Sequence, residues 1–396
     1  LIRREEIKSI LEALLPQLLE EDSAVIGTNL VVLRQRLDHL KDVFPAHTSH
    51  SIAIKTNPHP KMLETLVSWG FGLEAASIEE VRMALAAGCD PSLIVFDSPV
   101  KTRAEIREIS GLNGILVNVN ALEELDRYDA DFHGILGIRV NPQVHTGAPE
   151  LFDVSKNESK FGVPVDYRDA IISAALAHPV QALHMHSGSQ MKDLNIQKGA
   201  LKELRRIADA INEEVPGKIK VLDIGGGLPT EPLSDQTKME AYGAIVAEVF
   251  RDTSYSLVTE FGQWVHAEAG FALSHIEYVL EPNKVFIHLG ADFFMRDAYT
   301  KPRSFPLSVW TEDSDEVLGE NVSMDIAGPL CFAGDYLAHG VELPIALKEG
   351  DFLFVDCTGA NTYALWSRHC SRTVPATWAW DGNSVVKWSN RSTIGF

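Results

Sequence analysis

The stretch SIAIKTNPHPKMLETLVSWGFGLEAAS, residues 51–77, sets the pattern for most of the chain. Ser51 to Ile54 is a short apolar run suited to a buried strand. KMLETLVSWG repeats its apolar residues at helical spacing and stops at a glycine, and Gly72 to Ala75 is again strand-like. A strand, a crossover helix and a second strand in this order make a parallel βαβ unit. Runs of the same kind follow at Leu93 to Phe96, Ile115 to Val119, Gly134 to Val140, Ala182 to His186, Lys220 to Ile224 and Ser256 to Glu260. Helix-like segments such as SIEEVRMALAAG, KTRAEIREIS and DYRDAIISAALAH lie between them. Eight strands alternating with helices close most economically into a (β/α)8 TIM-like barrel, with an open doubly wound sheet as the alternative fold.

Outward from this repeat the texture changes. The first 24 residues read as an amphipathic helix, and AVIGTNLVVLRQRLDHLKDVFP reads as a strand leading into a second helix. After Glu260, FALSHIEYVLEP, KVFIHLG, VSMDIAGPL, DFLFVDC and TVPATWAW are strand-like runs separated by turn residues. The expected division is therefore a barrel over 30–265 and an all-β, barrel-like domain formed by 266–396 together with the N-terminal segment 1–29. The segments Asn141 to Lys160 and Gly225 to Lys238 are longer than barrel turns need and are expected to carry site residues.

With 396 residues, 45% hydrophobic and 23% charged, the composition is that of an ordinary globular protein. A formal charge of −20 argues against nucleic acid as a partner, since binding a polyanion requires surplus Lys and Arg. Cys89, Cys331, Cys357 and Cys370 form no CxxC pair, so neither a zinc site nor a disulfide framework is expected. Nothing reads as an export signal or membrane anchor, and a cytoplasmic setting with reduced thiols is the expectation.

Barrel enzymes place their chemistry at the carboxyl ends of the strands. Lys55 lies there after strand one, Glu74 at strand two, Arg139 at strand five and His186, within HMHSGSQ, at strand six. Gly225, Gly226 and Gly227 follow strand seven, and Glu260 closes strand eight. Lys55 follows apolar residues, where desolvation lowers a lysine pKa and favours the free amine that a Schiff base needs; a lysine reaching over the rim is the competing reading. Three glycines after a strand can turn successive N–H groups toward one anion, helped by the Ser189 hydroxyl, or can simply make a tight turn. A carboxyl at Glu260 needs a cation or strong donor, which a protonated pyridine nitrogen supplies and a rim Lys or Arg would supply equally. His184 and His186 share the strand, and the HSGS context favours His186 as the ring near a ligand. An amine, an anion nest, a flat imidazole and a carboxyl together match what pyridoxal phosphate asks of a protein.

In this order, AIKTNPHPKMLETLVSWGFGLEAAS, HMHSGSQ, LDIGGGLP, EFGQWVHAEAG and GPLCFAGDYL resemble the motifs of the fold-type III, alanine racemase-like decarboxylases that use pyridoxal phosphate. This group holds the diaminopimelate, ornithine, arginine and carboxynorspermidine decarboxylases. The resemblance implies that Lys55 carries the cofactor as an internal aldimine, and that decarboxylation runs through an external aldimine and a quinonoid. It implies His186 stacked on the ring, Ser189 with the three glycines on the phosphate, and Glu260 at the pyridine nitrogen. Glu74, Arg139, Gly262, Gln263 and Asn361 complete the expected cofactor site.

The resemblance further implies a homodimer with composite sites, in which Cys331 arrives from the partner as proton donor. Arg296, Tyr299, Phe332 and Asp335 are the expected substrate contacts. A carboxylate at the ring nitrogen, where racemases of this fold place an arginine, points to decarboxylation. Three departures stand out: Gln263 replaces a phosphate-contacting arginine, Asn361 replaces a tyrosine, and Phe332 replaces the acid that binds a distal ammonium in the diamine enzymes. The chain thus falls between the diaminopimelate/ornithine and carboxynorspermidine branches. The expected substrate is an amino acid with a long or modified side chain, such as a polyamine or siderophore intermediate. A catalytically silent regulatory homologue and a racemase are the alternatives.

Overall fold

A computed structural model describes residues 2–129, 131–145, 154–230, 233, 235–280, 283–299 and 303–392. The chain divides into two compact units, Leu37–Trp264 and Leu1–Arg36 with Val265–Phe396.

In the first unit, eight strands run in parallel: Thr48–Ala53, Gly72–Ala75, Ile94–Phe96, Leu116–Val119, Ile135–Asn141, Val180–His184, Val221–Asp223 and Ser256–Thr259. Each pairs with the next, and the eighth pairs with the first, so the sheet closes as the eightfold repeat requires. The strands are short and almost wholly buried, because helices cover the outside and side chains such as Val95, Leu116, Ala182 and Val258 pack together. Helix starts follow local chemistry. Thr102 and Glu105 cap the helix Arg103–Ile109 reciprocally, and Asn29 accepts from the amides of Val31 and Val32 at the start of Leu30–Val43.

The second unit is a mixed sheet built around the strand Ala24–Asn29. That strand pairs antiparallel with Gly270–Leu280 and parallel with Ala376–Trp380, so the N-terminal segment is central to the β-rich unit. Its alternation serves two faces. Ala24 and Ile26 join one apolar cluster with Ala272, Ile326 and Leu353, whereas Val25 joins a second with Phe271, Phe354 and Trp378. The helix Arg4–Leu14 covers the second cluster through Ile7, Ile10, Leu11 and Leu14. It ends well short of residue 24, because Pro16 opens a 3-10 turn at Leu15–Gln17 that the α-helix cannot continue through.

Two other expectations shift. Strand one ends at Ala53 and strand six at His184, so Lys55 lies in a 3-10 turn, Ile54–Thr56, and His186 on a loop. Of the two long loops, 146–153 and 231, 232 and 234 lie outside the described residues. No helix among the described residues is long and apolar enough to cross a membrane.

Candidate active site

The strand register brings polar side chains into one layer at the carboxyl end of the barrel. Arg139 pairs with His184, and His184 with Asp223, across three consecutive strands. Asp97 follows strand three and Glu260 follows strand eight. All five are buried, as is Glu74 on strand two. The layer holds four carboxyl groups, and its electrostatics follow from how they are paired.

Lys55 Nζ donates to Glu74 Oε2 at 2.5 Å. Burial works against its charge, but Glu74 and then Glu260 outweigh burial and hold the ammonium above the ordinary lysine range. The sequence expectation of a depressed amine is therefore corrected: the turn that carries Lys55 faces acids rather than the apolar residues that precede it. Asp97 is opposed by burial yet held well below the usual carboxylate range by His184 and by Arg139, whose guanidinium lies 3.0 Å away. Glu260 goes the other way, since burial and the neighbouring Asp223, Asp97 and Glu74 raise it well above an ordinary glutamate. Its nearest cationic candidates are imidazoles, His184 Nε2 at 3.7 Å and His186 Nδ1 at 3.8 Å.

His186 is held neutral by burial, with Arg139 and Lys55 adding to the effect. Its Nδ1 accepts from the Gly226 amide at 3.2 Å, which leaves the proton of the neutral ring on Nε2. The glycine run has a packing reason of its own. Gly225 and Gly227 have φ of 64° and 103°. A Cβ on Gly225 would lie 2.7 Å from the Met185 carbonyl, one on Gly226 2.7 Å from the Glu260 carbonyl, and one on Gly227 against the Gly188 carbonyl. The Gly225 amide donates to Asp223 Oδ1, so the amides of Gly225 and Gly226 are both engaged within the protein, and this narrows the anion-cradle reading of the triplet. Ser189 lies on the adjoining loop. Gly262 packs so closely on Ala53 that a Cβ would lie 2.8 Å from the alanine methyl, and Gln263 opens the short helix Gln263–His266.

The remaining expected residues fall in the β-rich unit. Cys331 is exposed. Phe332 stacks on Tyr299, ring centroids 5.1 Å apart and planes within 14°, with His369 at 6.2 Å. Arg296 lies one turn from Tyr299 in the helix Met295–Tyr299. Asn361 is nearly buried with φ 59°. Asp335, expected to help shape the cysteine loop as well as to contact substrate, is engaged by that loop. It is buried, and its two oxygens accept from the amides of Ala291 at 2.5 Å and Leu330 at 2.6 Å, while Gly290 and Gly328 leave room for the carboxylate. Asp335 therefore clamps the loop that carries Cys331.

Asp97, Asp223 and the full part played by His184 escaped the sequence reading. The signal for Asp97 was its place, directly after the strand run LIVF, since any polar residue at that end of a barrel strand is a candidate. Asp97, His184 and Glu260 offer ligand atoms within 4.8 Å of one another, but Arg139 already supplies a cation to Asp97, and the donor set fits protons better than a metal ion.

The layer also fits a pyridoxal group. Glu260 Oε1 and Glu74 Oε1 are buried without a hydrogen-bond partner, a state costing about 1–3 kcal/mol per group unless a ligand donates to it. A lysine amine just past one barrel strand and a buried carboxyl with an unpartnered oxygen just past another fit the class of (β/α)8 barrel enzymes that carry pyridoxal 5′-phosphate.

Comparison with known proteins refines the class. Residues 30–269 match the family described as pyridoxal-dependent decarboxylase, pyridoxal binding domain. A diaminopimelate decarboxylase of Pseudomonas aeruginosa is 30% identical over 356 residues, covering 86% of this chain and 83% of that protein. One of Aquifex aeolicus is 25% identical over 375 residues, covering 89% and 87%. Among solved structures, diaminopimelate decarboxylase of Helicobacter pylori complexed with L-lysine has a TM-score of 0.85 at 22% identity, covering 94% of this chain and 95% of that one. The Paramecium bursaria Chlorella virus arginine decarboxylase bound to agmatine gives 0.76 at 20%, covering 91% and 96%. These structures are similar in fold. The chain belongs to the pyridoxal-dependent decarboxylases: it is an amino-acid carboxy-lyase whose cofactor is pyridoxal 5′-phosphate.

Proposed function

We propose that the protein removes the α-carboxylate of an amino acid with a long or modified side chain, of the kind that diaminopimelate, carboxynorspermidine or a siderophore intermediate represents. The observation that carries this reading is Glu260, a buried carboxyl with one oxygen unpartnered at the end of the last barrel strand. When bound, pyridoxal phosphate supplies an electron sink for the pair released as carbon dioxide departs.

The chain's own residues do the rest. Lys55 anchors the cofactor through its amine, and Glu74 holds that amine in place. Glu260, with its unpartnered oxygen, would meet the ring nitrogen and favour its protonated form. His186, neutral and fixed by the Gly226 amide, would stack on the ring, and Ser189 with the glycine loop would hold the phosphate. Arg139, Gly262 and Gln263 line the same site. Cys331 returns a proton to the α-carbon from a second copy of the chain in a homodimer. Its thiol is exposed, and Asp335 fixes the loop behind it. The stacked Phe332 and Tyr299 beside that cysteine would present ring surface to the substrate side chain, and Arg296, one turn from Tyr299, would bind a substrate carboxylate.

The test is absorbance and product formation on the same preparations. Protein with added cofactor should show a visible band that Lys55→Ala abolishes, and carbon dioxide should be released from one or more members of a panel. The panel spans meso-diaminopimelate, ornithine, lysine, arginine, carboxynorspermidine and citrate-conjugated amino acids. An unchanged band in Lys55→Ala overturns the site assignment. A normal band without carbon dioxide from any member points to a silent homologue.

A further inference from the structure

His184 is fully buried, and each of its ring nitrogens has a carboxyl oxygen within ion-pair distance: Asp97 Oδ1 is 3.2 Å from Nδ1, and Glu260 Oε2 is 3.7 Å from Nε2. Neither nitrogen is aligned for a hydrogen bond among the described residues, so the ring stands poised between two acids. Beyond Asp97 lies Arg139, its Nη1 3.0 Å from Asp97 Oδ2, while Glu260 also neighbours Asp223, Glu74, Lys55 and His186. The order Arg139, Asp97, His184, Glu260 resembles a nucleophile triad in its logic: a charged carboxylate fixes one nitrogen of an imidazole and stabilises the imidazolium, and the other nitrogen serves the reacting side.

We propose that Asp97 is a positioning residue that holds His184 as an imidazolium, and that this second cation keeps Glu260 ionised against the ring nitrogen of the cofactor. The inference rests on the reading that Glu260 meets that nitrogen. The proton balance is simple. In the protein without cofactor, burial and the surrounding acids Asp223, Asp97 and Glu74 favour a proton on Glu260, with Lys55 opposing them. When a ring that brings its own N–H⁺ binds, the Glu260 proton moves to His184 Nε2, and Asp97, whose charge is secured by Arg139, stabilises the product of that transfer. Without the Asp97 charge His184 returns to the neutral ring, Glu260 becomes more basic, and it competes with the pyridine nitrogen for the proton that makes the cofactor an effective electron sink.

The test uses holoenzyme labelled with ¹⁵N in its histidine rings, His184 being assigned with His184→Asn. Wild type should give the two similar nitrogen shifts of an imidazolium at neutral pH, and Asp97→Asn, which keeps shape but not charge, the split shifts of a neutral ring. In parallel the visible cofactor band should change its pH midpoint by about one unit in Asp97→Asn, a tenfold change in proton affinity. kcat should fall about tenfold or more with the cofactor still bound, and Asp97→Glu should restore part of both. A neutral His184 in wild type overturns the proposal without recourse to any variant. An unchanged band midpoint in a folded Asp97→Asn holoenzyme overturns it as well, and loss of thermal stability alone would mark Asp97 as structural. Because the nitrogen shifts are read on wild-type holoenzyme, the proposal can fail while the Lys55 and Glu260 assignment stands.

Discussion

Lys55 shows how neighbouring acids, Glu74 foremost, reverse the effect of desolvation. Desolvation alone would give the depressed amine expected from the sequence, but the carboxyl of Glu74, 2.5 Å away, holds the ammonium instead. The free amine that attacks an aldehyde is therefore scarce at neutral pH, and the rate at which colour forms on adding cofactor should climb with pH. In Glu74→Gln that climb should begin at lower pH by about a unit or more, because burial then acts with less opposition. A superimposable pH–rate profile would show that Glu74 does not set the amine. His50 gives a stability counterpart. It is buried against Phe44 and Phe71, bonded to Thr259 Oγ1 at 2.8 Å, and lowered to about 4 by burial and then by Lys41. A base that binds its proton more weakly in the folded state than in the unfolded one contributes stability that is complete above pH 6.5 and is lost as pH falls toward about 4. In that window one such group costs about 1.4 kcal/mol per pH unit. Urea unfolding of His50→Gln between those limits should therefore show a shallower dependence on pH than wild type, whatever its stability at pH 7.

At the scale of the element, much of the barrel was legible because its strands are buried on both faces and its helices alternate with them at regular spacing. The run 51–77 states the βαβ rule in one glance, and each βα turn after it repeats the signal. What the sequence could not convey was register. Arg139, His184 and Asp223 become a row only through pairing between strands distant in the chain, so Asp97 and Asp223 carried no local mark. Asp335 was placed by its loop in the sequence, but its engagement by two backbone amides is a tertiary fact. The glycine triplet was legible as a motif and ambiguous as to cause, and the close approach of the Gly188 carbonyl supplies a cause. Gly227→Ala places a methyl there at φ 103° and should cost about 1–3 kcal/mol of stability, with weaker retention of cofactor on dialysis. The same reasoning applies to the strand Ala24–Asn29, where the Phe271 ring lies across Gly27. Gly27→Val should lower the melting temperature by several degrees through overpacking of about 1–3 kcal/mol. An unaltered melting temperature would mean that the strand is not the centre of its sheet.

Across the whole molecule, residues of one proposed reaction are divided between two compact units: Lys55, His186 and Glu260 in one, Cys331 and Phe332 in the other. If the second set serves the barrel of a partner copy, each site needs an intact lysine from one chain and an intact cysteine from the other. Lys55→Ala and Cys331→Ala are then each inactive as pure dimers, the first for want of a cofactor anchor and the second for want of a proton donor. When the two are unfolded together and refolded in equal amounts, random pairing makes half of the dimers mixed. A mixed dimer holds one site with both lesions and one with neither, so activity should recover to about a quarter of the wild-type value. Recovery should also depend on exchange, appearing slowly or not at all when the folded variants are merely mixed. Were the cysteine to act within its own chain, every site in every mixed dimer would carry one lesion, and no activity would return at any ratio. The two arrangements thus differ in whether activity returns at all, which a single titration of one variant against the other decides.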